Sequence, residues 1–242
     1  MTKQITKSGN SVIVYDDNRV SQITHEFFEP DFWPDSDSGS GVTGGRGTVF
    51  FIRHEDQEWV LRHYYRGGLP GAMLEDQFIW AGSTRTRSIR EWELLQTMHN
   101  LGFMVPAPVA ARYLHHGLFY TADIITARIP GVQSFADRLA EDQVSGDLWH
   151  SLGECIARFH FAGFYHADLN AHNVQVNSDG EFFLLDWDRG DRRPPGSWRN
   201  SNLARLHRSL VKISRNEQAH FEPGDWKVLL EAYMDLWHRL PD

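Results

Sequence analysis

Two short stretches of the chain concentrate groups capable of acid–base and metal chemistry. His166-Ala-Asp-Leu-Asn-Ala-His-Asn173 packs two histidines, an aspartate and two asparagines into eight residues. Asp186-Trp187-Asp188 follows the short apolar run Phe182 to Leu185. One or two carboxylates plus an amide oxygen suit a hard divalent cation that keeps phosphate and water as its other ligands. A further carboxylate can then orient a hydroxyl and accept its proton. If Val174 to Val176 pairs with Glu181 to Leu185 through the turn Asn177-Ser-Asp-Gly180, Asn173 and Asp186 meet at one edge of that hairpin. Two oxygen donors from opposite strands would then face one point, with Asp168 in the loop just ahead of them. Singly, each of these residues could be an ordinary cap or turn residue. It is their joint spacing that favours chemistry.

The elements that must position these groups are legible by periodicity. Leu148, Leu152, Ile156 and Phe159 recur at helical spacing, so Asp147 to Gly163 reads as an amphipathic helix stopped by its glycine. Helices are also expected over Ser201 to Ser214 (Leu203, Leu206, Leu210, Ile213) and Asp225 to Leu240. The first half reads differently. Thr48 to Arg53 and Glu58 to Tyr65 are strands joined by a short polar turn, and two more strands lie in GFMVPAPVAARYL and GLFYTADII. Pro106 and Pro108 confine the first of that second pair to an edge or put them at its start. Ile89 to Leu101 is a helix with Ile89, Trp92, Leu95 and Met98 on one face. Gly67 to Ser88 shows no clear period. Residues 1 to 40 read as a loosely ordered segment with a strand at Ser11 to Tyr15. The expected organisation is α+β: strand-rich residues 1 to 125, then helix-rich residues 126 to 242.

Composition narrows the function classes. The 242 residues are 41% apolar and 23% charged, ordinary for a folded protein. Cys155 is the single cysteine, which excludes internal disulfides and Cys-based metal sites and fits a reducing compartment. A formal charge of −8 disfavours nonspecific polyanion binding, so no nucleic-acid partner is expected. Basic clusters run against this average at Arg62 to Gly68, Thr84 to Arg90 and Asp188 to Arg199. No signal peptide is visible, and apolar runs of four or five residues fall far short of the about 20 needed to span a bilayer.

His-Ala-Asp-Leu-x-x-x-Asn, followed thirteen residues after Asn173 by Asp-Trp-Asp, resembles the catalytic and metal-binding loops of the protein-kinase-like superfamily. GVTGGRGTVF resembles its glycine-rich phosphate-covering loop. Arg62 stands fifteen residues past Gly47, where a strand-borne lysine is expected, and Glu91 resembles the helix glutamate that pairs with it. WVLRHYYRGGL, HADLNAHN and LLDWDRG together look like the 3-deoxy-D-manno-octulosonic acid (Kdo) kinases of Gram-negative bacteria, over roughly residues 41 to 215.

The resemblance implies a two-lobed protein-kinase-like fold, with an antiparallel sheet plus one helix in the N-lobe and a helical C-lobe. It implies ATP and Mg²⁺ as cofactors and phosphorylation of the 4-hydroxyl of Kdo in a Kdo–lipid A precursor, a step of lipopolysaccharide core biosynthesis. By the same resemblance Asp168 is the catalytic residue, and Asn173 and Asp186 hold metal. Gly44, Gly45, Gly47, Arg62 and Glu91 bind the nucleotide, and adenine lies against the backbone near Asp123 to Ala127. Departures are arginine for lysine at position 62, Asp188 where the superfamily has glycine, and Asn170 where protein kinases carry lysine. Together with the lack of an Ala-Pro-Glu segment, Asn170 disfavours a protein substrate.

For a lipid-linked acidic acceptor, cations are expected at Arg66, Arg189, Arg192, Arg193 and Arg199. Leu69, Met73, Leu74, Phe78, Ile79 and Trp80, flanked by Arg85, Arg87 and Arg90, could rest on an anionic membrane surface. A peripheral protein on the cytoplasmic face of the inner membrane follows. His166 is expected to hold its loop by hydrogen bonds rather than to act as base. The alternatives are another sugar kinase, such as a heptose kinase or an aminoglycoside phosphotransferase, and a non-catalytic pseudokinase scaffold. An arginine-rich loop after Asp188 suits anions better than polycationic aminoglycosides, and Asp168, Asn173 and Asp186 are the residues a pseudokinase loses.

Overall fold

The computed structural model describes residues 2–33, 37–39, 49–66, 76–216 and 219–239. It divides into two compact units, one of residues 1–102 with 106–129 and one of residues 103–105 with 130–242.

The first unit is an antiparallel sheet with a helix. Its strands are β1 (Lys3–Ser8), β2 (Ser11–Asp16), β3 (Asp37–Gly39), β4 (Val49–His54), β5 (Gln57–His63), β6 (Phe78–Ile79), β7 (Pro108–His116) and β8 (Phe119–Ala127). They run in the order β1-β2-β7-β8-β5-β4-β3, with β6 also on β8. Pro108 starts β7, where its missing N–H removes no interior ladder bond. Strands β7 and β8 lie inside the sheet; Val109, Ala110, Ala122 and Ile125 are fully buried, and Arg112 and Asp123 at the strand centres are buried as a pair 2.8 Å apart. Helix α1 (Arg87–Asn100) buries Ile89, Trp92, Leu95 and Met98, the face its sequence period predicts.

Residues 2–33 correct the expectation of a loose segment. Strands β1 and β2 form a full hairpin from Lys3↔Asp16 to Ser8↔Ser11, and β2 pairs onward to β7. Two short 3₁₀ turns, His25–Phe28 and Pro30–Phe32, then bring Phe28 and Trp33 into the core. Trp33 meets Phe27 and Trp59 edge-on. These aromatics are scattered in a polar stretch, so no local period announces them. Their order comes from Trp59, far along the chain.

The second unit contains β9 (Val132–Ser134), α2 (Phe135–Glu141), α3 (Gly146–Phe161), β10 (Phe164–Tyr165), β11 (Val174–Asn177), β12 (Phe182–Leu184), β13 (Asp191–Arg192), α4 (Trp198–Asn216) and α5 (Pro223–Arg239). Sequence periodicity leaves β9 and α2 unassigned because both are short. The start of α2 is fixed by Ser134, whose hydroxyl accepts from the Asp137 N–H. Helix α3 is capped by Ser145, and the chain turns out of it through Gly163 at φ 84°. An antiparallel trio, β12-β11-β9, carries the loop ends of interest.

Helices α3 and α5 approach until Gly153 lies against the α5 backbone. A Cβ there would sit 2.3 Å from the Leu229 carbonyl oxygen. Near the end of the same helix His160 is buried, with Nδ1 3.1 Å from the Tyr233 hydroxyl. Burial lowers the His160 pKa to about 3 and raises that of Tyr233 to about 12.

Gly153→Ala is expected to force α5 away from α3 and to destabilise the protein by about 1–3 kcal/mol, read from urea unfolding; an unchanged midpoint contradicts so close a packing. His160 takes up its proton in the unfolded chain near pH 6.5 but in the folded one only near 3. Stability is therefore full above pH 6.5 and falls on acidification, by on the order of 1 kcal/mol per pH unit for each such histidine. Melting temperature should drop from pH 7.5 to pH 5, and His160→Gln should flatten that slope.

Candidate active site

The fixed point of the second unit is a buried imidazole between two chain segments. His166 is 1% exposed. Its Nε2 lies 2.7 Å from the Leu185 carbonyl, which can only accept, so that nitrogen carries the proton. Its Nδ1 therefore accepts the Asp168 N–H at 3.1 Å. Burial lowers its pKa and keeps it neutral. Both ring nitrogens are thus committed to holding the loop, as the sequence suggests. Trp187 stacks 5.4 Å from Phe159, lies 4.7 Å from His166 and donates its indole N–H to the Leu184 carbonyl. That anchor fixes the strand end from which Asp186 and Asp188 depart.

Beyond the imidazole, the loop is tied to itself. Asn170 accepts the N–H groups of His172 and Asn173 on Oδ1 and donates to the Asp168 carbonyl. Asn173, 4% exposed, donates its Nδ2 to that same carbonyl at 2.9 Å, which leaves Oδ1 as its acceptor atom. The hairpin has the expected register. Val174 pairs with Leu184, and the Leu185 N–H donates to the Asn173 carbonyl at 2.9 Å. This last bond closes the hairpin at the end where Asp186 begins. Asn173 and Asp186 therefore leave the same end of the hairpin, from opposite strands. Asp186 takes φ 58°, a left-handed conformation that aspartate tolerates better than most residues and that ends the extended run.

Asp168 is half exposed, with 48% of its side chain accessible. Its Oδ1 accepts from Arg205 Nη1 at 2.7 Å, a contact that sequence periodicity does not reveal. The predicted acceptor-site arginines are more engaged than expected. Arg193 stacks over Tyr165, Arg199 over Trp237, and Arg192 donates to the Ala162 carbonyl while lying over Phe164. Arg189 is 74% exposed, 3.9 Å from Asp188, and Arg66 is exposed.

In the first unit, Arg62 and Glu91 meet as their strand and helix assignments predict. Arg62 Nη2 donates to Glu91 Oε1 at 2.5 Å, and the Tyr64 hydroxyl donates to Oε2 at 2.5 Å. Glu91 is only 3% exposed, so both oxygens need such donors. The Arg62 guanidinium also lies 4.9 Å from the Tyr64 ring centroid. Sequence reasoning missed Tyr64; its place two residues after Arg62 on one strand face was the available signal.

Other expectations change. The backbone of Asp123 to Ala127 is paired with β5 on one side, and through Asp123 to Thr126 with β7 on the other. The peptide groups of this stretch are occupied by the sheet. Phe78 is buried and Trp80 stacks on His115 at 4.1 Å, while Ile79 is 67% exposed. Arg87 packs over Phe78. Gly44, Gly45, Gly47, Leu69, Met73 and Leu74 lie outside the described residues.

Among the described residues no three His, Cys, Asp or Glu side chains gather as a metal cage. One carboxylate and one amide at a hairpin end fit instead a cation that keeps phosphate and water ligands, as Mg²⁺ does.

The family model described as "Lipopolysaccharide kinase (Kdo/WaaP) family" matches residues 31–233. A 3-deoxy-D-manno-octulosonic acid kinase of Stenotrophomonas maltophilia (strain K279a) is 42% identical over 232 residues, covering 96% of this chain and 92% of the relative. Another 3-deoxy-D-manno-octulosonic acid kinase, from Vibrio parahaemolyticus serotype O3:K6 (strain RIMD 2210633), is 34% identical, covering 93% and 95%. Among solved structures, monomeric WbdD matches with a TM-score of 0.47 at 17% identity, over 84% of this chain and 49% of that one. The pairing of Arg62 with a buried Glu91, the loop from His166 to Asn173 and a match spanning most of the residues lead to one conclusion: this chain belongs to the lipopolysaccharide kinase (Kdo/WaaP) family.

Proposed function

We propose that this protein transfers the γ-phosphoryl group of ATP to the 4-hydroxyl of Kdo in a Kdo–lipid A precursor. The observation that carries the reading is the hairpin end: Asn173 and Asp186 leave opposite strands beside a loop that presents a half-exposed Asp168. In phosphoryl transfer a protein mainly positions groups and stabilises charge. Asp168 orients the sugar hydroxyl and accepts its proton as the oxygen attacks phosphorus. Asn173 Oδ1 and the Asp186 carboxylate hold Mg²⁺, which when bound neutralises phosphate charge. Arg62, fixed by Glu91 and Tyr64, supplies a guanidinium to the triphosphate, and Gly44, Gly45 and Gly47 offer backbone N–H groups to it. We assign residues 1–125 as the N-lobe and 126–242 as the C-lobe. The boundary between the two compact units, at Ile129, supports this division.

The acceptor is lipid-linked, so the protein works at the cytoplasmic face of the inner membrane as a peripheral protein. Exposed Ile79 and Leu118 on neighbouring chain segments, with exposed Arg85 nearby in sequence, support contact with an anionic surface. Among the described residues no helix is long and apolar enough to cross a membrane.

Purified protein with labelled ATP should phosphorylate Kdo–lipid A precursor at the 4-hydroxyl in preference to heptose or aminoglycoside acceptors. Phosphate mapped to another sugar would replace the acceptor assignment. Asp168→Ala should lower turnover by at least about 10³-fold while nucleotide affinity stays within a few-fold. Asp186→Ala should instead abolish the Mg²⁺ dependence of nucleotide binding, measured by calorimetry with and without the ion. Substantial turnover in the first variant, or unchanged metal dependence in the second, removes that residue from its role.

A further inference from the structure

One face of α4 reads the catalytic loop in register. Asn202 accepts the His166 N–H on Oδ1 and donates Nδ2 to the His166 carbonyl, at 3.2 and 3.0 Å. Arg205 donates to Asp168, and the Ser209 hydroxyl accepts the Ala171 N–H at 3.1 Å. Positions 202, 205 and 209 are three and four apart, so they stand above one another on the helix. Their partners 166, 168 and 171 advance in the same direction. The two outer contacts, to backbone, set where the loop lies. The central one delivers a full positive charge to Asp168.

That charge has no substitute in the loop. Residues 166–173 contain no lysine or arginine, and Asn170 is occupied by loop backbone. The Arg205–Asp168 pair also contributes little to stability, because the two side chains are 47% and 48% exposed. Among the described residues no protein group donates to Asp168 Oδ2, and Arg205 has no second acceptor. One carboxylate oxygen is therefore left for a hydroxyl and several guanidinium N–H groups for an oxyanion beside it.

We infer that Arg205 is a catalytic residue whose guanidinium faces the phosphoryl group in transit while holding Asp168 in place. This rests on the kinase reading above and names a further residue of the same site. As the acceptor oxygen forms its bond to the γ-phosphorus, the bond from phosphorus to the bridging oxygen breaks and its electron pair leaves on ADP. The hydroxyl proton passes to Asp168 Oδ2. Negative charge on the three phosphoryl oxygens would be repelled by the Asp168 carboxylate, and the paired guanidinium offsets that repulsion.

The test compares Arg205→Ala and Arg205→Lys with the parent, for transfer to the Kdo acceptor and for ATP hydrolysis without it. Arg205→Ala should lose roughly 10²-fold or more in turnover on both, with KM for the sugar within about threefold. Millimolar guanidinium ion should restore part of the lost rate saturably where ammonium does not, and Arg205→Lys should retain an intermediate rate. A raised KM for the sugar with hydrolysis intact would assign Arg205 to recognition of the acceptor's own carboxylate and overturn the inference. Unchanged turnover, or a loss that guanidinium leaves untouched and that follows a lowered melting temperature, overturns it too. Should the parent hydrolyse ATP but ignore the Kdo acceptor, the acceptor assignment fails while the hydrolysis rates still decide the role of Arg205.

Discussion

The arrangement of the second unit depends on one neutral imidazole. His166 donates to the Leu185 carbonyl and accepts from the Asp168 N–H, so a single buried ring links the catalytic loop to the strand that ends at Asp186. The ring can do this only uncharged, since a proton on Nδ1 would turn an acceptor into a donor facing another donor. Burial against Trp187 keeps it so. Removing the ring would strand the Leu185 carbonyl and the Asp168 N–H away from water, which typically costs about 1–3 kcal/mol for each group left unsatisfied. In the proposed mechanism Asp168, rather than His166, is the base, because both ring nitrogens are engaged whereas the carboxylate retains an oxygen without a protein donor among the described residues.

In the first unit the corresponding constraint is Glu91. A carboxylate almost wholly removed from water needs a donor on each oxygen, and Arg62 and Tyr64 provide them. Arginine at position 62 is then no defect relative to lysine. Its planar guanidinium can donate to Glu91 and stack on the Tyr64 ring at once, which a point-charge ammonium does less well.

Much of this is legible in the sequence because it is local. The apolar runs around Asn177 to Gly180 specify a hairpin, and a hairpin's register alone brings Asn173 and Asp186 to one end. The helix period of Ile89 to Met98 likewise faces Glu91 toward the sheet. What stays hidden depends on tertiary partners. Asn202, Arg205 and Ser209 look like the polar side of an amphipathic helix whose apolar stripe is Leu203, Leu206 and Leu210, and only the loop lying across them shows otherwise. Arg192, Arg193 and Arg199, which the sequence suggests as acceptor-site cations, lie on aromatic rings. Phe28 and Trp33 show no period because the core they join, around Trp59, is remote in sequence.

In the proposed mechanism Asn173 and Asp186 share one nucleotide-bound divalent ion beside Asp168. The most direct test is a crystal structure with Mn²⁺ and a non-hydrolysable ATP analogue, with the ion located by anomalous scattering. The expected result is an ion at about 2 Å from Asn173 Oδ1, an Asp186 oxygen and the analogue's phosphates, as hard-cation coordination requires. An ion bound to the phosphates with neither side chain in its coordination shell would contradict the mechanism.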